Sequence, residues 1–271
     1  MNVRPPVAAG SFYPLEKDRL NKILEKCFQE IEKTEKNVIG AIVPHAGYIY
    51  SGKTAAYAYS QMKKSNFLII GPNHDVFGSK FGIMTQGLWA TPLGRVEINQ
   101  KMSKKLLENC NLLENDFLSH KNEHSIEVQL PFLQYKFGNN FKFVPISVKN
   151  EYPNQDFLEK CEIVGNSIAK SIDKNWTIIA SSDFSHYVPK KYAKMVDKDA
   201  IDSILKLDEK EFFEKIRKNN ISICGFGPIA IAIIVAKKLG AKKAELLKYS
   251  TSGDITREEK SVVGYASLVI E

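Results

Sequence analysis

The sequence predicts a three-layer α/β/α fold around a central, mostly parallel or mixed sheet, and three observations carry that expectation. Short continuous apolar runs recur along the chain, and amphipathic helical patterns separate them. No internal repeat, low-complexity tract or long linker divides the 271 residues, so 1–271 reads as a single domain. Strands alternating with helices bury a sheet between two helical layers.

From the N-terminus, residues 15–36 place Leu20, Ile23, Leu24, Cys27, Phe28 and Ile31 on one stripe, which predicts an amphipathic helix. Val38 to Val43 is a continuous apolar run, as expected of a strand covered on both faces. Similar runs occupy Phe67–Ile70, Phe141–Val148 and Trp176–Ala180. Helical patterns cover 52–63, 124–137, 154–173 and 189–207, and 228–239 reads as a buried helix. Glu245–Tyr249 and Val262–Ile270 are the expected closing strands.

Composition narrows the function. A hydrophobic fraction of 44% and a charged fraction of 25% suit a globular chain with a substantial core. The net charge of +7 comes mostly from lysines scattered along helices, which makes a solvated surface. Basic residues do not cluster with aromatics, so nucleic acid is not an expected partner, whereas an acidic small molecule is compatible. The four cysteines, at 27, 110, 161 and 224, form no CxxC pair, which excludes a disulfide framework or a zinc ribbon. No apolar signal core or bilayer-length run is present, so a cytoplasmic address and no membrane association are expected. Neither phosphate-loop pattern is found, and no GxSxG elbow points to a serine hydrolase.

The chemistry collects after the strands. The first leads into Pro44-His45-Ala46-Gly47, the second into Gly71-Pro72-Asn73-His74, and the fourth into Ser182-Asp183-Phe184-Ser185-His186. Ligands of open α/β sheets bind beyond the carboxyl ends of strands, so His45, His74, Asp183 and His186 are expected at one edge. Two imidazoles with a carboxylate suit non-haem Fe(II), and three imidazoles suit a hydrolytic zinc. Taken singly, each histidine reads as a loop residue satisfied by hydrogen bonds; together they suggest a shared site. In a helical 124–137, His124 and Glu127 share a face and could support the ligands from behind. His120, in a polar loop, is expected to be exposed. Cys224 precedes an apolar helix, where a thiolate would be stabilised, or it is a small buried hydrophobe in a glycine turn. Cys27 belongs to the core, and Cys110 and Cys161 show no signal beyond that.

The motifs resemble those of the Memo family, whose fold is similar to that of class III, LigB-type extradiol dioxygenases. They run nearly end to end: Arg4 to Pro14, Pro44-His45-Ala46-Gly47-Tyr48, Gly71-Pro72-Asn73-His74, Trp89 to Gly94, Glu123-His124-Ser125-Ile126-Glu127-Val128-Gln129-Leu130-Pro131, Ser181 to Tyr187, and Cys224-Gly225. The resemblance implies that His45, His74, Asp183, His186 and Cys224 surround one cleft that takes iron or copper. It raises Cys224 from core to site residue. The cysteine departs from the carboxylate that completes the iron set of true extradiol dioxygenases. The resemblance also implies a functional link to a radical-SAM protein in bacterial and archaeal members, and to receptor signalling in animal ones; a homodimer fits the class.

Three functions compete at this point. A redox enzyme would hold Fe or Cu through His45 and His74, with Cys224 or Asp183 completing the set and His186 as base. A non-catalytic protein would bind an anionic small molecule or phosphopeptide-type ligand in the cleft. A metal-dependent hydrolase would prefer Zn.

Overall fold

The computed structural model describes residues 2–32 and 34–271; Met1, and Lys33 within the predicted 15–36 helix, lie outside the described residues. A short β1 (Val3–Arg4) precedes α1 (Lys17–Phe28), where Leu20, Leu24 and Cys27 of the predicted stripe are buried. The first apolar run forms β2 (Gly40–Val43), followed by α2 (Tyr48–Gln61). The second forms β3 (Asn66–Pro72), and β4 (Phe81–Ile83), β5 (Leu88–Thr91) and β6 (Gly94–Ile98) widen the sheet. Then come α3 (Gln100–Asn109), β7 (Glu114–Asn115) and α4 (Leu118–Lys121).

The predicted 124–137 helix is shorter than its pattern. A 3-10 turn at Glu127–Gln129 leads into α5 (Leu130–Phe137), with Pro131 in the first helical turn. Proline has no N–H to donate and is tolerated where that donor would be unpaired anyway, so the regular helix begins beside it. His124 consequently sits in an irregular segment.

The remaining elements are β8 (Lys142–Val148), α6 (Gln155–Ser171), β9 (Trp176–Ser181), β10 (His186–Val188), α7 (Lys190–Leu205), α8 (Glu209–Asn219), α9 (Phe226–Lys238), β11 (Ala244–Thr251), α10 (Gly253–Thr256) and β12 (Val262–Ile270). Strands β6, β8, β3, β9 and β2 lie side by side and parallel, and β12 and β11 extend the sheet antiparallel. At the other end β5 is antiparallel to β6, so the sheet is mixed.

Alternation along the strands divides the core. Ile42, Leu68, Ile70, Val144, Ile146 and Ile178 pack with apolar residues of α6, α7, α8 and α9 on one face. Ala41, Val43, Phe67, Ile69, Phe143 and Ile179 pack with α1, α2 and α5 on the other. Successive strand residues point to opposite faces, so a strand buried on both must be apolar throughout. That requirement produces the unbroken runs in the sequence and the three layers in space. Because β2, β3 and β9 are parallel, the loops that leave their carboxyl ends emerge at one edge.

Candidate metal centre

His45 follows β2 and is buried. Its Nδ1 lies 2.9 Å from Ser181 Oγ, at the end of the neighbouring β9. That hydroxyl donates to the Ser125 carbonyl at 2.7 Å and accepts from Gln129 Nε2 at 2.8 Å. A serine hydroxyl has one proton, so it must accept from His45 Nδ1–H. The tautomer is thereby set, and His45 Nε2 carries the bare lone pair. Burial and the neighbouring His124 and His74 hold the ring's pKa well below its ordinary value, so His45 is neutral.

His74 follows β3. Its Nδ1 lies 3.0 Å from Glu123 Oε1, and its backbone N–H donates to Oε2 of the same carboxylate at 2.5 Å. A carboxylate accepts only, so Nδ1 carries a proton, and in the neutral ring Nε2 carries the lone pair. Burial lowers the His74 pKa, but the hydrogen bond and charge of Glu123 outweigh it and raise the value above the ordinary one. His124 stands beside it: ring centroids are 4.9 Å apart for His74–His124, 5.2 Å for His45–His74 and 5.4 Å for His45–His124. Phe12 stacks on the His124 ring at 4.2 Å. Burial keeps His124 neutral, with its pKa pushed down to about 4 despite the charge of Glu123.

Two glycines make these approaches possible. A Cβ on Gly71 would lie 2.4 Å from Ser125 Oγ, so only glycine lets the Glu123–Ile126 segment reach the end of β3. A Cβ on Gly225 would lie 2.5 Å from the Ser181 carbonyl oxygen. Glycine there allows the start of α9 to press against the end of β9 and delivers Cys224 to the site. Cys224 Sγ lies 3.2 Å from His45 Nε2 and accepts from the Asp183 backbone N–H at 3.3 Å. Burial, and then the charge of Asp183, push the thiol pKa well above its usual value.

Asp183 is buried, and its Oδ1 accepts from the backbone N–H groups of His45 (2.8 Å) and Ala46 (3.3 Å). Burial raises its pKa to about 6, against the opposing pull of the His45 N–H. Its place is behind the His45 turn, which it pins.

Ligand atoms of His45, His74 and Cys224 lie within 4.8 Å of one another, and so do those of His74, Glu123 and His124. Both sets are suited to an ion. Asp183 and His186 belong to neither among the described residues. His186 lies on β10, at the antiparallel edge of β12, where its Nδ1 donates to the Ser222 carbonyl at 2.6 Å. The third ring of the triangle is His124. The segment carrying it is folded back by the short turn before α5, a feature absent from periodicity.

Burial dominates the His124 pKa, and Glu127 acts on that ring through its charge, which opposes the shift. Glu127 is buried in an ion pair with Arg4 at 2.5 Å and accepts from Val7 N, Ala8 N and Tyr13 Oη. Arg4 also donates to the carbonyls of His120 (2.7 Å) and Glu123 (2.6 Å). The pair therefore straps the N-terminal segment onto the loop that presents Glu123 and His124. His120, expected to be exposed, is fully buried, with Nε2 3.1 Å from the Gly82 carbonyl and its ring edge-on to Trp89. The Arg4 network draws its loop inside.

Patterning along the chain does not mark Glu123, Ser181 and Gln129 as site builders. A carboxylate directly beside His124 is the available signal for Glu123. Nothing local marks Ser181 and Gln129, which act through neighbours distant in sequence.

A family model described as Memo-like protein matches residues 4–269. A MEMO1 family protein of Methanosarcina barkeri is 42% identical over 270 residues, covering 99% of this chain and 100% of that one. Another from Methanopyrus kandleri is 41% identical over 282 residues, covering 98% of each. Among solved structures, an uncharacterized protein of Escherichia coli K12 is similar with a TM-score of 0.56 at 12% identity, over 86% of this chain and 99% of that chain, a likeness of fold alone. On motifs, length and identity, the chain belongs to the Memo family.

Proposed function

We propose that this protein is a metal-dependent redox protein, dioxygenase-like in architecture, with a transition ion held by His45 Nε2, His74 Nε2 and Cys224 Sγ. The observation that carries the reading is the set of hydrogen bonds behind the ligands. Each Nδ1–H is committed to an acceptor, which leaves both Nε2 lone pairs bare beside the thiol. Imidazole with thiolate suits Fe, Cu or Zn and not Mg or Ca. Three protein ligands leave positions open, and when bound the ion supplies redox or Lewis-acid chemistry at them.

The residues themselves do the rest. Cys224 gives up its proton on ion binding, because the thiolate is the ligand form. Ser181 and Glu123 keep their rings aligned. Asp183, with its pKa raised to about 6, can hold or release a proton beside the centre close to neutral pH. His186, with Nδ1 donating to the Ser222 carbonyl, directs its other ring nitrogen to no hydrogen-bond partner among the described residues and is available to a substrate. Zinc with hydrolysis is the same site with a different ion.

A second reading, a cleft that holds an anionic or phosphopeptide-type ligand without turnover, draws on the raised pKa of His74 and the net charge of +7. The buried carboxylates of Glu123 and Asp183 oppose it, since they repel an anion.

Metal analysis after anaerobic purification decides between them. A stoichiometric Fe, Cu or Zn that His45→Ala and Cys224→Ser abolish supports the metal reading. A metal-free protein that binds phosphotyrosine equally well under chelation overturns it.

A further inference from the structure

Resting on that metal reading, we infer that Glu123 is the positioning residue of the centre: its carboxylate fixes the tautomer and orientation of His74, and so presents Nε2 to the ion. The side chain is buried and takes no part in the proposed His45–His74–Cys224 ligand set. A purely structural glutamate would cap its own turn, and Glu123 does accept from the Ser125 N–H at 2.7 Å. Its oxygens also face two imidazoles: Nδ1 of His74 at 3.0 and 3.2 Å, and Nδ1 of His124 at 3.3 Å.

In water the two neutral imidazole tautomers lie close in energy, and the partner of one nitrogen decides which is adopted. An anionic acceptor selects Nδ1–H decisively. It also raises the basicity of the other nitrogen. The Glu123 backbone is braced from both sides. Arg4 holds its carbonyl at 2.6 Å, and Gly71 makes room for the segment against β3. His45 has only a neutral hydroxyl behind it, so the two ligand imidazoles are unequal, and His74 is the stronger donor.

Glutamine is the informative replacement. It keeps the size but turns one acceptor oxygen into an NH2 group, which must then face the N–H of His74 or of Ser125. Two measurements test the inference on the full chain. The first is the imidazole 15N spectrum of the metal-free protein. His74 is expected as the Nδ1–H tautomer in the wild type and as a mixture in Glu123→Gln. The second is an anaerobic cobalt(II) titration read by the sulfur-to-cobalt charge-transfer band. Affinity is expected to fall about ten- to a hundredfold in Glu123→Gln. Glu123→Asp, which keeps the charge, should recover part of it.

The inference is overturned if the tautomer is unchanged in Glu123→Gln. It is equally overturned if Gln and Asp lose cobalt affinity only in proportion to their loss of metal-free melting temperature. A wild type that shows the Nδ1–H tautomer yet gives no charge-transfer band sinks the metal reading instead, and with it the role of Glu123 toward an ion.

Discussion

The thiol of Cys224 lies 3.2 Å from Nε2 of His45, although 179 residues separate them. The contact depends on Gly225, where any side chain would meet the end of β9. Gly225→Ala is therefore expected to destabilise the protein by about 1–3 kcal/mol through overpacking. It should also weaken cobalt binding by moving the sulfur. Chemical denaturation and the charge-transfer band read the two effects. An alanine variant with normal stability and normal cobalt affinity would refute the close approach.

Ion binding should itself stabilise the fold. At a free ion concentration about one hundred times the dissociation constant, a ligand that binds only the native state adds about 2.7 kcal/mol. Melting curves with added Zn2+ or Co2+, and after chelation, should differ in the wild type and coincide in a His45→Ala/Cys224→Ser double variant. Equal shifts in both proteins would place the ion elsewhere.

Ser181→Ala removes the acceptor that sets the His45 tautomer and leaves the buried His45 Nδ1–H without its partner, while Gln129 Nε2 keeps the Pro44 and Ser125 carbonyls. A loss of about tenfold or more in ion affinity is expected, with a destabilisation of about 1–3 kcal/mol from the unpaired buried imidazole N–H. Isothermal titration of the anaerobic variant checks this. Affinity equal to wild type would show that Ser181 does not orient the ring.

The Arg4–Glu127 pair is fully buried, so removing one partner strands the other. Arg4→Met is expected to cost about 3–5 kcal/mol, and Arg4→Met/Glu127→Gln less than Arg4→Met alone. Because Arg4 also holds the Glu123 carbonyl, ion affinity should fall with it. Denaturation midpoints of the single and double variants provide the measurement; a double variant no better than the single would contradict the ion-pair account.

Acid should unfold the metal-free protein partly through His120. Burial, and then the charge of Arg4, push its pKa down to about 4 from 6.5. Its neutral form is the folded one, so its contribution to stability is fully present above pH 6.5. Between about pH 6.5 and 4 the unfolded state takes up a proton that the folded state refuses, and on the order of 3 kcal/mol is lost. His45 and His124, both lowered, act in the same direction. Two groups act oppositely and by less than the three lowered rings together: Asp183, raised to about 6, loses its contribution as pH rises from about 4 to 6, and His74, raised above its ordinary value, loses its contribution as pH rises past that value. Stability measured from about pH 7.5 down to about 4.5 should therefore decline, and His120→Phe should flatten the slope. An unchanged slope would rule out His120 as a source.

How far the sequence reached depends on the range of the physics involved. Period-2 burial wrote β2, β3, β8 and β9 as apolar runs, and the 3.6-residue stripe wrote α1, α6 and α7, because each pattern is set by which neighbours cover a local element. The short peripheral strands β4, β5, β6 and β7 left no such trace. The parallel order placed His45 and His74 at one edge, where both are found.

Residue order alone therefore settles the layered fold, the family and the strand ends at which chemistry gathers, since these follow from local patterning and ordered motifs. Folding in three dimensions settles the partnerships. His124 closes the ring of imidazoles, His186 belongs to neither ligand set among the described residues, Glu123 and Ser181 set the tautomers, and Glu127 answers Arg4. Those outcomes depend on contacts across 49 to 136 residues. Hydrogen-bond geometry at such range is set by how the layers pack, and no local spacing encodes it.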